Sequence, residues 1–370
     1  MTDYERRIRA CLWALACGDA LGQLTEGYWP HWIERVYGGP VRDFAEPVRP
    51  HDPLTWAAGE VSDDTLMTLM LARSLVEREG QVDPDDLAAR ICAAPVKGWP
   101  RWQQFVRAYT GGDRRAATDS AGSGAAVRAV AVGLIDRPDD LDLLVLDAVA
   151  AARVTHRRPE AVAAAAAVAA AVAAAVEGAG PGEVLDLATT AAARAREVGE
   201  GEPPAGTAGA PGSAPASAAA GPAAAGEAPA ARGAGGAGGT RRSGGAGGAD
   251  GADVAATLTS LHLSLGGRSG GSLPPGELGA LLRSRVEPGF RAGEAVPFAL
   301  VLGCAAGDAR RAILEAVNQG GDADTVAAVA GALAGALAPD TVPPEWIERV
   351  RRANPGLDID ALVPELARLR

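Results

Sequence analysis

Two acidic stretches hold the residue types best suited to chemistry. Ser62, Asp63, Asp64 and Thr65 stand together in GEVSDDT, and Asp322, Asp324 and Thr325 stand in NQGGDADTVAAVAG near the carboxyl end. Each packs two carboxylates and a hydroxyl directly before a run of apolar residues, where a helix would begin. Capping alone explains such a pattern, since Ser62 is a natural N-cap and acidic side chains in a first turn complement the helix dipole. Gly320 and Gly321, ahead of the second stretch, permit close backbone approach. Read as a pair, the two stretches look like halves of one site. Four carboxylates brought together repel unless some protonate or cations neutralise them. Hard divalent ions accept oxygen ligands, and Mg2+ or Mn2+ fits carboxylates mixed with hydroxyls better than zinc, which favours His and Cys. Two such ions need about a dozen ligand positions, so water and substrate hydroxyls must complete the set.

Three further stretches have plainer readings. GDALGQLTEG, Gly18 to Gly27, reads on its own as a helix stop followed by a turn. GSGAAVR, Gly122 to Arg128, opens with Gly122 and Gly124 where the helical period from Ser123 begins. VTHRRPEAV, Val154 to Val162, places His156 just before a helix begun by Pro159, and a lone histidine is more often structural than functional.

The elements that must position these residues are helical. Apolar residues recur at helical spacing over Asp64–Glu79, Pro84–Ala93, Ser123–Ile135, Leu141–Arg153, Pro159–Glu177, Gly182–Val198, Leu273–Arg285, Val296–Ala306, Asp308–Val317, Thr325–Leu337 and Pro344–Ala353. Ile8, Cys11, Leu12, Leu15 and Ala16 predict an amphipathic opening helix, and Val254–Ser264, ambiguous by period, is read as helix from its neighbours. Residues 199–251 are almost entirely Gly, Pro, Ala and Ser, too poor in large apolar groups to offset their ordering entropy. The expected fold is therefore all-α: one compact multi-helix domain in two parts, 1–198 and 252–370, interrupted by a disordered low-complexity insertion at 199–251.

Composition sets outer bounds. With 370 residues and 48% apolar content the chain can bury a sizeable core. A formal charge of −11 argues against nonspecific nucleic-acid binding. Cys11, Cys17, Cys92 and Cys304 form no zinc or disulfide spacing and read as small buried hydrophobes in a reducing compartment. The alanine-rich run Ala161–Val176 is shorter than the roughly 18 to 20 residues of a membrane span and reads as a buried helix. No membrane association is expected, and the cytoplasm is the expected location.

GDALGQLTEG, GEVSDDT, GSGAAVR, VTHRRPEAV and NQGGDADTVAAVAGALAGA, in this order, resemble the ADP-ribosylglycohydrolase family, which includes the dinitrogenase reductase-activating glycohydrolase and the ADP-ribosylarginine and ADP-ribosylserine hydrolases. The resemblance implies an all-α, metal-dependent hydrolase that removes ADP-ribose from a modified acceptor by cleaving the bond at the anomeric carbon. It implies that Ser62, Asp63, Asp64, Asp322, Asp324 and Thr325 bind two divalent cations, Mg2+ or Mn2+, with Asp63 and Asp322 central to catalysis. Glu26 matches the glutamate beside the metals and is implied to act in catalysis, Gly122, Ser123 and Gly124 would lie along the pyrophosphate and ribose, and His156 would lie beside the distal ribose. Ser123 and Val127 stand where the family often has Asn and Met, and Ser62 replaces the usual Thr while keeping its oxygen. The implied partner is an ADP-ribosylated protein or small-molecule conjugate, met by a monomer. The alternatives are a catalytically silent ADP-ribose binder of the same fold and a two-metal phosphoesterase.

Overall fold

Small residues decide how closely the helices meet. The opening helix, Asp3–Gly22, starts with a capping box in which Thr2 and Glu5 satisfy each other's backbone N–H groups. It is two-sided only in its first turns, because every residue from Ala10 to Gly22 is buried. The cause is an antiparallel partner, the Ala323–Leu337 helix. A Cβ on Gly18 would lie 2.1 Å from the Ala327 carbonyl oxygen, and one on Gly22 would lie 2.3 Å from the Asp324 Cα. From the other side, Cβ atoms on Gly331 and Gly335 would lie 2.8 and 2.7 Å from the carbonyl oxygens of Ala14 and Ala10. Glycines four residues apart on both helices thus bring the backbones into direct contact over several turns. Gly18 therefore lies inside the helix, which runs on to a cap at Gln23, and the Gly-Asp step is not the helix stop that it resembles.

The computed structural model describes residues 1–48, 55–93, 97–98, 101–112, 120–200, 253–268 and 272–370. Helices run over Asp3–Gly22, Pro30–Tyr37, Asp63–Glu77, Pro84–Ala93, Trp102–Thr110, Gly124–Arg128, Val130–Gly133, Leu141–Arg153, Pro159–Val176, Pro181–Glu200, Val254–Ser264, Glu277–Arg283, Ala292–Ala305, Ala309–Val317, Ala323–Leu337, Pro344–Ala353 and Ile359–Ala367. Among the described residues the only β pairing outside strands is an isolated bridge between Gly122 and Arg291, so the fold is all-α. Residues 1–201 and 251–370 pack as one unit. The expected insertion at 199–251 begins on helical backbone, since the Pro181 helix continues to Glu200, and the rest of it lies outside the described residues.

The Pro159–Val176 helix sits at the centre, with Glu160 to Val176 all buried. By length and composition it could cross a membrane, yet 94% of it is buried within the protein, as a core helix is. Alanine on every face lets neighbours approach: a Cβ on Gly133 would lie 2.3 Å from the Ala169 carbonyl oxygen. Three expected elements differ in extent. Ser123–Ile135 is broken at Ala129 into two short helices. The helix expected from Leu273 begins only at Glu277, because Pro274 and Pro275 precede it and Gly276 caps it at a positive φ of 88°. The helix expected from Val296 begins at Ala292 and accommodates Pro297 near its start.

Candidate active site

The turn before Asp322 shows why two glycines precede it. Gly320 and Gly321 have φ of 63° and 73°, and a Cβ on either would lie 1.9 Å from a carbonyl oxygen, of Tyr28 and Pro288 respectively. Gly321 N–H donates to Tyr28 O at 2.9 Å, Gly27 N–H donates to Gly321 O at 2.8 Å, and Asp322 N–H donates to Pro288 O at 3.0 Å. Two of these bonds fix the second acidic stretch against the end of GDALGQLTEG, beside Glu26.

The two acidic stretches meet. Thr325 Oγ1 donates to Asp64 Oδ2 at 2.8 Å, and Ser62 caps the Asp63–Glu77 helix by accepting from Asp64 N–H at 3.2 Å. Ser123, from the glycine loop, donates to Asp322 Oδ2 at 2.5 Å and lies 3.3 Å from Thr325 Oγ1. Gly124 stands close by, since a Cβ there would lie 3.9 Å from Asp64 Oδ1. The loop is held from behind by the Gly122–Arg291 bridge and by Ala292 N–H donating to Ala121 O at 2.9 Å. Asp63 is half-buried, and a Cβ on Gly98 would lie 2.7 Å from its Oδ1. Glu26 is half-buried near the rim, and its charge is felt by Asp63, Asp322 and Asp324. His156 packs on the other side of the glycine loop, with Nε2 3.5 Å from where a Gly122 Cβ would be.

Several residues of this cluster carried no signal in their own right. Asp19 is fully buried, and its Oδ2 accepts from Ser62 N–H at 2.9 Å, Thr65 N–H at 3.2 Å and the Thr65 hydroxyl. Gln23 donates from Nε2 to Asp324 Oδ2 at 2.7 Å. The repeated small residues of GDALG and GALAG were the available clue, because they force these two helices together and so carry Asp19 and Gln23 to the Asp324 end.

The electrostatics are those of crowded buried acids. Burial first, and then neighbouring carboxylates, push Asp63 up to about 8 and hold Asp64 and Asp324 well above the ordinary carboxylate range. Burial and Glu26 push Asp322 up to about 7, against the stabilising hydrogen bond from Ser123. Burial raises Asp19 as well, and its Oδ1 has no hydrogen-bond partner. A cluster of hard oxygen donors whose negative charges raise one another fits a hard divalent cation. Among the described residues no three carboxylate, imidazole or thiol groups already converge on one point. Hydroxyls and water must therefore complete any cation's shell, as the donors Ser62 and Thr325 allow.

The profile of the ADP-ribosylglycohydrolase family matches residues 1–370. The ADP-ribosyl-[dinitrogen reductase] glycohydrolase of Rhodospirillum rubrum is 32% identical over 165 residues, covering 42% of this chain and 53% of that protein. The uncharacterised protein YegU of Escherichia coli K12 is 33% identical over 178 residues, 43% of this chain and 51% of that one. A protein of Archaeoglobus fulgidus is 34% identical over 173 residues, 44% and 53% of the two chains. The chain thus spans about half the length of the curated relatives it matches. A solved structure titled ADP-ribosylglycohydrolase-related protein complex shares the fold, with a TM-score of 0.57 at 23% identity over 100% of this chain and 99% of that one.

Proposed function

The chain belongs to the ADP-ribosylglycohydrolase family, and from that premise we propose that it hydrolyses the bond between the anomeric carbon of ADP-ribose and an acceptor atom, releasing intact ADP-ribose. The observation that carries the reading is the hydrogen bond from Thr325 to Asp64, which joins motifs 261 residues apart into one oxygen-lined centre.

In this reading Ser62, Asp63, Asp64, Asp322, Asp324 and Thr325 would hold two divalent cations, Mg2+ or Mn2+. When bound, the cations neutralise the clustered carboxylates and orient sugar hydroxyls as Lewis acids. Glu26, half-buried beside Asp63 and Asp322, exchanges a proton with the attacking water or the leaving atom. Gly122 and Gly124 leave room for the pyrophosphate to lie against backbone, and Ser123 ties that loop to Asp322. The reaction balances simply: water adds its oxygen to the anomeric carbon and its proton to the departing acceptor, through a transition state with oxocarbenium character.

The test is turnover of ADP-ribose linked to arginine, to serine and to a nucleobase, with Mg2+ and then Mn2+. Release of intact ADP-ribose, abolished by a chelator and by Asp322→Ala, is expected. Binding of ADP-ribose without product would make the chain a silent binder. Release of AMP or phosphate would make it a phosphoesterase.

A further inference from the structure

The Arg128 guanidinium is completely buried, and it spends one nitrogen on a single neighbourhood. Its Nη2, with two hydrogens and so one of them shared, donates among Ala151 O at 2.8 Å, Ala152 O at 3.1 Å and Thr155 Oγ1 at 2.6 Å. Thr155 is 1% exposed, and its Oγ1 lies 2.7 Å from His156 Nδ1. Among the described residues, Arg128 and His156 are the partners of that hydroxyl.

Counting hydrogens fixes the direction of the chain. A guanidinium only donates, so the Thr155 oxygen accepts from Arg128. The hydroxyl hydrogen then has one acceptor within reach, Nδ1 of His156. If Nδ1 carried the hydrogen and donated to Thr155, the threonine's own hydrogen would be buried facing a cation, with no acceptor, which is costly. Nδ1 therefore holds a lone pair and Nε2 holds the hydrogen. Nε2 is also the nitrogen that abuts Gly122, one residue from the Ser123 that bonds Asp322. Burial, together with the charges of Arg128 and Arg101, pushes the imidazole pKa down to about 3, in keeping with a neutral ring.

We infer that Arg128 and Thr155 are positioning residues that lock His156 in its neutral Nε2–H tautomer, making it a fixed hydrogen-bond donor to an oxygen of the bound nucleotide sugar and never a proton acceptor. The identity of that ligand rests on the proposed function; the tautomer does not. A protonated Nε2 has no lone pair for general-base work, so the proton handling of the reaction falls to a carboxylate. A donor at this place suits a ribose hydroxyl or phosphate oxygen, both of which offer lone pairs.

The experiment is two-bond 1H–15N correlation NMR on ligand-free full-length protein labelled at its four histidines, with His156 assigned by its disappearance in His156→Gln. The expected spectrum places Nδ1 in the unprotonated range and Nε2 in the protonated range, unchanged between pH 8 and pH 5. Thr155→Val, nearly isosteric, should abolish that fixed pattern and weaken ADP-ribose binding about tenfold, and Thr155→Ser should restore both. An Nδ1–H signal in the wild type, or the wild-type tautomer persisting in Thr155→Val, overturns the inference. A wild-type protein with the expected tautomer that fails to bind ADP-ribose would overturn the proposed function and leave the lock standing.

Discussion

Gly18→Ala separates helix propensity from site geometry, because the two predict opposite signs. Gly18 lies inside the Asp3–Gly22 helix, and in an open helix exchanging Gly for Ala stabilises by up to about 1 kcal/mol. Here the new Cβ would lie 2.1 Å from Ala327 O and 2.5 Å from the carbonyl carbon, both backbone atoms that cannot rotate aside. Ordinary van der Waals contact begins at 3.4 Å, so the two helices must part by about 1.3 Å or bend locally. Overpacking of this kind costs roughly 1 to 3 kcal/mol, which in a chain of this size lowers Tm by about 2 °C per kcal/mol. The parting also draws Asp19 and Gln23 away from the Asp324 end, and a displacement near 1 Å is enough to cost about a hundredfold in turnover. The assay pairs thermal unfolding followed by circular dichroism with release of ADP-ribose, and Gly182→Ala serves as the control, since nothing lies within 4 Å of its Cβ position. The control should hold or gain stability. If Gly18→Ala matches the control in Tm and keeps full turnover, small-residue contact does not set the site.

Other perturbations test separate links. Gly321→Ala meets Pro288 O at 1.9 Å in a left-handed backbone and should destabilise by more than about 2 kcal/mol, read by thermal unfolding. Thr325→Val removes the hydroxyl between Asp64 and Ser123, and should lower turnover at least tenfold and weaken Mn2+ binding in a calorimetric titration while leaving Tm within a few degrees. Asp136 is pushed up to about 7 by burial and then by the neighbouring Asp147 carboxylate. The folded chain holds that proton after the unfolded chain releases it near 3.8, so this group's contribution to stability falls as pH rises from about 4 to 7 and then levels. Asp136→Asn should therefore stabilise the protein by roughly 2 to 4 kcal/mol at pH 8 and leave it unchanged at pH 4, as measured by urea unfolding at both.

Much of this was legible because acidic helix starts are local. Ser62 and the following aspartates announce an N-cap whatever surrounds them, and Pro84–Ala93, Leu141–Arg153 and Pro344–Ala353 have the bounds that their periodicity and flanking residues indicate. Asp19 was not legible, since its role depends on Ser62 and Thr65, 43 and 46 residues away in sequence, and a Gly-Asp step locally resembles a terminus. The helices Pro30–Tyr37, Trp102–Thr110 and Ile359–Ala367 were missed: the first two are short and bury a single residue each, Ile33 and Phe105, so their apolar period is weak. The coupling of Arg128 to Thr155 lies in tertiary hydrogen bonding, which no spacing rule reveals.

The most direct test of the account is anomalous diffraction from crystals of the full chain soaked in Mn2+. Two manganese peaks, each ligated by oxygens from both the Ser62–Asp64 and the Asp322–Thr325 stretches or shared between them, are predicted. No peak at this cluster, or manganese held by one stretch alone, would contradict it.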